Sequence, residues 1–273
     1  MRAEAVAATA PETSIAWPGA ICSPSIWLWE AGPILRLGAF TGAFGGLLWG
    51  LGLLIGAQGA IGWLMVASGL REAATSVASY WLALHLAGAF VIFGFIAWWV
   101  FLLARSETDL LTARRSAERR LYGLSSGVMH LLFVQIILGA LVAGIDAGRN
   151  YPTWPDMNGA FFPEDALVGP LWENAGLVQF VHRMAGYLLV ALGVMAWWRG
   201  RASAYRATRM AFHLMAAMLL AQAALGIWTA LSAATLHVAI THQIGAVILW
   251  VLVIRARHMA AYPVQGSIRE GTA

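Results

Sequence analysis

Beyond residue 36 the chain alternates long apolar runs with short polar stretches. Six runs, roughly 37–69, 80–104, 122–146, 173–198, 208–231 and 235–256, are each long enough to cross a bilayer as a helix. The pattern predicts an all-α polytopic membrane bundle of six transmembrane helices. The first run is longer than one perpendicular crossing needs, so it is read as tilted or irregular at its start. Residues 1–36 are rich in Ala, Pro and Ser and lack the basic start and apolar core of a secretory signal, so they read as an irregular leader. Residues 257–273 read as a polar tail.

Composition agrees with that class. The chain is 60% hydrophobic and 11% charged, against about a quarter charged in a soluble domain. All 17 basic residues are arginine, and they collect in the 105–121 and 199–209 loops and after residue 254. The opposite loops hold Arg71 and Arg149 beside Asp146, Asp156, Glu164, Asp165 and Glu173. The positive-inside rule therefore places both termini in the cytoplasm and the 147–172 loop outside, in a bacterium on the periplasmic face of the inner (plasma) membrane. No basic stripe with interleaved aromatics suggests nucleic acid. One cysteine, Cys22, excludes an intramolecular disulfide and a thiolate metal cluster.

Within the apolar runs a pattern recurs. LLIGAQGAIGWLM (53–65) parallels MLLAQAALGIWTA (218–230), with Gln58/Gly62 matching Gln222/Gly226. Each is followed by a helix of matching spacing, HLAGAFVI from His85 and HQIGAVIL from His242. A third Gln-x-x-x-Gly stands at Gln135/Gly139. Small residues four apart often only let helices approach closely, but the paired order of Gln-x-x-x-Gly and then His-x-x-Gly-Ala is more specific. The chain reads as two copies of a helical unit, the second more complete: a partial N-terminal half over 37–104 and a C-terminal four-helix bundle over 122–256.

Ionisable groups inside such helices usually face a partner, a cofactor or a cavity. His85, His182 and His242 lie about one and a half to three turns inside the outer ends of their runs, at ~1.5 Å per residue, so they share one layer of the outer half. Two neutral imidazoles facing each other across a bundle are a standard axial pair for haem iron. His182 and His242 fit that role, with Arg183 turned toward the outer interface as a partner for a haem propionate. The alternative for each is a hydrogen-bonded core histidine. His130 and His213 lie away from the layer, His258 falls in the basic tail, and His237 sits at an outer helix end; these four read as structural. The loop GIDAGRNYPTWPDMNGAFFPE (144–164) is long enough to serve as a lid over a cofactor edge.

The stretches VAGIDAGRNYPTWPDMNG, VQFVHR, QGAIGWLMVASGL and THQIGA together resemble the haem A synthase family, particularly its alphaproteobacterial and mitochondrial branch, over residues 50–256. The resemblance implies an inner-membrane enzyme of two pseudo-symmetric four-helix bundles that oxidises a methyl group of haem O to the formyl group of haem A for cytochrome oxidase. It implies a haem b in the C-terminal bundle held by His182 and His242, and a substrate haem in the N-terminal half held in part by His85. It assigns no catalytic residue here. Haem O synthase and cytochrome oxidase assembly proteins are the implied partners, and a homo-oligomer is compatible with it. Two departures stand out. Val181 replaces an asparagine in the family's Gln-Phe-Asn-His-Arg, and the front end lacks the family's first two helices with their Glu-x-x-His, of which Glu30 and Pro33 in WLWEAGP are only a faint echo. Two other readings stay open: a b-type cytochrome that only carries electrons, and a non-catalytic scaffold for oxidase assembly.

Overall fold

The computed structural model describes residues 33–69 and 78–264, with side chains from residue 49 onward within those ranges. The leader to residue 32, including Cys22 and Glu30, as well as Arg71 and the tail from 265, lies outside the described residues. The chain divides into two compact units, 1–53 and 54–273. The described part of the first is the opening stretch of helix α1.

Seven α-helices are present among the described residues: α1 (Pro33–Gly69), α2 (Ser79–Leu103), α3 (Glu107–Arg115), α4 (Arg119–Gly144), α5 (Ala175–Gly200), α6 (Arg206–Leu231) and α7 (Leu236–Ala261). All but α3 are long and apolar enough to span a membrane. The predicted spans and these helices agree to within a few residues, because each run ends where polar or arginine-rich sequence begins. The start of α1 at Pro33 takes in the last residues expected of the leader.

Two expectations are corrected. The 105–121 stretch, read as a loop, contains α3. Its N-cap is Ser106, whose hydroxyl accepts from Asp109 N at 3.2 Å; acids occupy its first turn and Arg114 and Arg115 its last, in keeping with the helix dipole. It buries Leu110 and Ala113. Helix α7 also runs past 256 to Ala261, so His258 is no tail residue. It is fully buried, with rings of Trp98 and Phe101 from α2 at 5.3 and 5.7 Å. Hydrogen bonds into the carbonyls of Met259 (from Thr208 Oγ1, 3.2 Å) and Ala260 (from Glu118 N, 2.9 Å) fix the same turn.

Helices α4, α5, α6 and α7 pack in a closed ring, each against the next and α7 back against α4, so α5 and α7 stand diagonally. Helix α2 lies outside the ring against α4 and α7. Trp250 of α7 pins it there: its Nε1 donates to Phe90 O at 3.1 Å, and a Cβ on Gly94 would come within 3.1 Å of that nitrogen.

The ring is filled unevenly. A continuous apolar core runs from Leu121, Phe212 and Met259 at the arginine-rich end to Ile136, Leu189, Leu219 and Leu249 near mid-height. Beyond it, toward the end carrying the long loop, the facing positions are Gly139, Gly186, Gly226 and Gly245, and here His182 and His242 project. Large side chains fill one end of the bundle, and histidine rings and glutamine amides seated on glycines fill the other.

Candidate functional site

The site is built from helical hairpins. In α6–α7, Gln222 Nε2 donates to the carbonyl oxygen of His242 at 2.7 Å. In α4–α5, Gln135 Nε2 donates to the carbonyl of His182 at 3.0 Å and lies 3.3 Å from the Nε2 of its ring. In the α1–α2 pair, Gln58 Nε2 donates to the carbonyl of His85. Glycines complete each clamp. A Cβ on Gly226, Gly139 or Gly62 would stand 3.0, 3.2 or 2.9 Å from Cε1 of His242, His182 or His85 respectively. On the histidine helices, Gly245, Gly186 and Gly88 lie against the amides of Gln222, Gln135 and Gln58.

Helix geometry explains why these residue types recur at these spacings. A backbone carbonyl points toward the C-terminal end of its helix, while a Cα–Cβ bond tilts toward the N-terminal end. On an antiparallel neighbour, the residue that meets the histidine carbonyl and the residue that meets the imidazole are therefore about one turn apart. Glutamine and glycine four positions on satisfy both contacts. Side chains three and four residues past the histidine flank its carbonyl, and a glycine there gives the amide access.

The three histidines sit at one depth. His85 and His242 each follow the first residue of their helix by six positions (79 to 85, 236 to 242) and His182 by seven (175 to 182), about 10 Å along the axis. His182 and His242 come from the diagonal helices of the ring. Each of the three rings keeps its Nδ1 buried without a hydrogen-bond partner. Unpartnered buried nitrogens are costly unless a ligand or metal completes them.

Such a donor set, imidazoles in an apolar layer, fits haem iron and suits a hydrated hard cation poorly. Among the described residues no group of three or more His, Cys, Asp or Glu forms a metal cage. The remaining histidines are placed otherwise. His130 is exposed and bonded through Nδ1 to Ser126 O at 2.7 Å, His213 accepts from Trp197 Nε1 at 2.9 Å, and His237 is exposed in the first turn of α7.

Arg183 faces the long loop. Its Nη1 donates to the carbonyls of Thr153 (2.9 Å) and Asp156 (2.8 Å), and its Nη2 to that of Tyr151 (2.7 Å). The guanidinium thus spends donors on backbone while keeping its charge beside the histidine layer. Trp154 Nε1 donates to Tyr187 OH at 2.8 Å, and Phe161 and Phe162 set their rings edge-on to Phe180 at 5.7 and 5.0 Å. Asn174 caps α5 by accepting from Leu177 N at 2.7 Å, and its amide holds the carbonyl of Val168 at 2.9 Å. The loop is consequently fastened to α5 along the two turns that carry His182.

Two loop groups titrate abnormally. Burial, then the hydrogen bond to the Asp165 carboxylate and its charge, push the Tyr151 phenol up to about 12. The Thr153 hydroxyl and the Gly159 backbone N–H, with the Arg183 charge behind them, hold the Asp156 carboxyl below its ordinary value.

Of the candidate residues His85, His182, His242 and Arg183, the structure sets His182 and His242 on the diagonal helices α5 and α7 of one ring, with Arg183 beside His182, and His85 in the separate α1–α2 pair. Sequence reasoning had no role for the glutamines. The signal was present, since Gln135/Gly139 precedes His182/Gly186 as Gln222/Gly226 precedes His242/Gly245. The loop insertion between α4 and α5 stretched the interval and hid the third copy.

The chain is similar in sequence to known proteins. The family model COX15-CtaA, cytochrome oxidase assembly protein, matches residues 19–254. A haem A synthase from Cereibacter sphaeroides is 56% identical over 236 residues, covering 81% of this chain and 60% of the relative. One from Ruegeria sp. is 56% identical over 225 residues, covering 80% and 59%. One from Roseobacter denitrificans is 51% identical over 251 residues, covering 89% and 66%. The chain thus spans about three fifths of the length of these relatives. No solved structure matches it.

Proposed function

Because the chain belongs to the COX15-CtaA family of cytochrome oxidase assembly proteins, we propose that this multi-pass membrane protein acts as its haem A synthase relatives are named, oxidising a methyl group of haem O to the formyl group of haem A. His182 and His242 hold a haem b between α5 and α7 in the C-terminal bundle. His85 serves the substrate haem in the N-terminal half. The haem b supplies reversible one-electron transfer next to the reaction. The chain's own residues would do the rest: the imidazoles of His182 and His242 would hold the group, and Arg183 fastens the 144–172 loop to α5 while offering positive charge to a propionate.

The observation that carries this reading is the pair of imidazoles at one depth on diagonal helices, each with a buried nitrogen lacking a partner. We place the protein in the bacterial inner membrane with both termini cytoplasmic, as its arginine distribution implies. There it would receive haem O from its synthase and serve oxidase assembly.

The decisive experiment is the reduced-minus-oxidised spectrum of the purified protein. A low-spin b-type band should appear, vanish in His182→Ala and in His242→Ala, and persist in His85→Ala. A wild-type protein without the band overturns the reading. Haem extracted from cells tests the chemistry: haem A should form from haem O in a His85-dependent manner. The band without haem A would leave an electron carrier.

A further inference from the structure

We propose that Gln135 and Gln222 are positioning residues for the axial histidines, and that each hairpin fixes its own imidazole independently of the rest of the bundle. The proposal rests on the haem-binding reading above and goes beyond it, since it concerns glutamines that touch neither iron nor porphyrin in that reading.

The same clamp recurs in three places with different surroundings. In each, an amide donates to the histidine carbonyl and a glycine one turn further along seats the ring. Repetition at Gln58, where Trp49–Gly69 has no buried residue, separates the clamp from general core packing. A side chain whose carbonyl is held and whose ring rests on backbone has little freedom to swing, so the plane of the imidazole is set before any ligand arrives. That is the preorganisation a six-coordinate iron requires.

The two C-terminal clamps are unequal. Gln135 reaches the ring of its histidine at 3.3 Å as well as the carbonyl, whereas Gln222 holds the carbonyl of His242. Loss of Gln135 therefore frees a ring, and loss of Gln222 frees chiefly a backbone anchor. A polar side-chain hydrogen bond within a membrane protein stabilises by an amount equivalent to about a threefold change in equilibrium, and in strong cases about tenfold.

The test uses purified, haem-loaded protein and reads coordination. Ferric low-spin EPR reports the relative orientation of the two imidazole planes, and carbon monoxide binding to the reduced haem reports release of one of them. Gln135→Leu removes the donor at nearly constant volume. It should retain haem, shift the largest g value, and raise the CO-reactive fraction about three- to tenfold. Gln222→Leu should change both in the same direction by less. Gln58→Leu, in the other hairpin, should leave both signals of the His182–His242 haem as in the wild type. Should Gln135→Leu fail to fold, Gly139→Ala keeps the donor but crowds the ring at 3.2 Å and should shift the same g value. Unaltered EPR and CO binding in Gln135→Leu and Gly139→Ala overturn the proposal while leaving the haem assignment intact. Absence of a low-spin signal in the wild type overturns the assignment instead.

Discussion

The hairpins carrying His85 and His242 share a clamp and differ in almost everything around it. On α7, Gly245, Leu249, Val253 and Ile254 are buried, as is Trp250 against α2. On α1, no residue from Trp49 to Gly69 is buried, and Trp63 is 70% exposed. Yet Gln58 finds the carbonyl of His85, and Gly62 finds its ring, as Gln222 and Gly226 do for His242. The local geometry that presents an imidazole is therefore a property of two antiparallel helices. Pairing that imidazole with a second one is a property of the ring, which sets α5 diagonal to α7.

The largest effect should come from filling the seat. Gly226→Leu places a branched side chain where even a Cβ approaches the His242 ring to 3.0 Å. It should abolish the low-spin haem band, whereas Gly62→Leu in the other hairpin should leave the band at full amplitude. Loss of the band in both variants would break the comparison, by showing that the hairpins are coupled. Next in size is Trp250→Ala, which removes a buried ring and its hydrogen bond to Phe90 O. Truncation of a buried aromatic costs about 3–5 kcal/mol, so the detergent-solubilised protein should unfold at a markedly lower temperature. Trp63→Ala on exposed α1 should change stability within about 0.5 kcal/mol.

Periodicity and length exposed most of the architecture. Runs of apolar residues closed by arginine-rich stretches located the six long helices, and histidines in apolar helices picked out the candidate site because burying them without a purpose is costly. Short-range polar detail was less visible. Helix α3 escaped because nine mostly polar residues, ETDLLTARR, are too short a run to stand apart from a loop between two membrane spans. His258 was misplaced because Arg255 and Arg257 resemble a tail. In the structure their guanidiniums lie over Phe101 and over Trp98 and Tyr122, at 4.9, 4.8 and 4.5 Å, and carry the helix on. Arg183 likewise gave no sign from sequence that it would hold three carbonyls of a loop some thirty residues away, since such contacts depend on tertiary closure.

That loop separates the two C-terminal hairpins. Helices α6 and α7 are joined by a tight turn at Ser232–Thr235, whereas α4 and α5 are joined by residues 145–174. Arg183→Met keeps the aliphatic stem and removes three charge-assisted bonds, each of a kind with a net contribution of about 1.5–3 kcal/mol. Limited proteolysis within 145–174 should speed up at least tenfold, with the α6–α7 turn uncut. An unchanged cleavage rate would mean that Trp154–Tyr187 and the Phe161–Phe162–Phe180 contacts suffice.

The smallest effects are those of pH, and they have opposite signs at two residues of the loop, Tyr151 and Asp156. Tyr151 has its phenol raised from 10.0 to about 12. The neutral form is therefore favoured in the folded protein, and its contribution is complete below pH 10 and lost as pH rises through about 12. Asp156 has its carboxyl lowered, so its contribution is complete above the ordinary carboxylate value and lost as pH falls through the depressed one. Loop protection against protease should be flat through neutrality and decline at both extremes. Tyr151→Phe should remove the alkaline limb and Asp156→Asn the acid one, while the His182–His242 band stays constant across the neutral plateau. A protection profile that slopes through neutral pH would show that a histidine of the site, and neither loop group, governs how the lid is held.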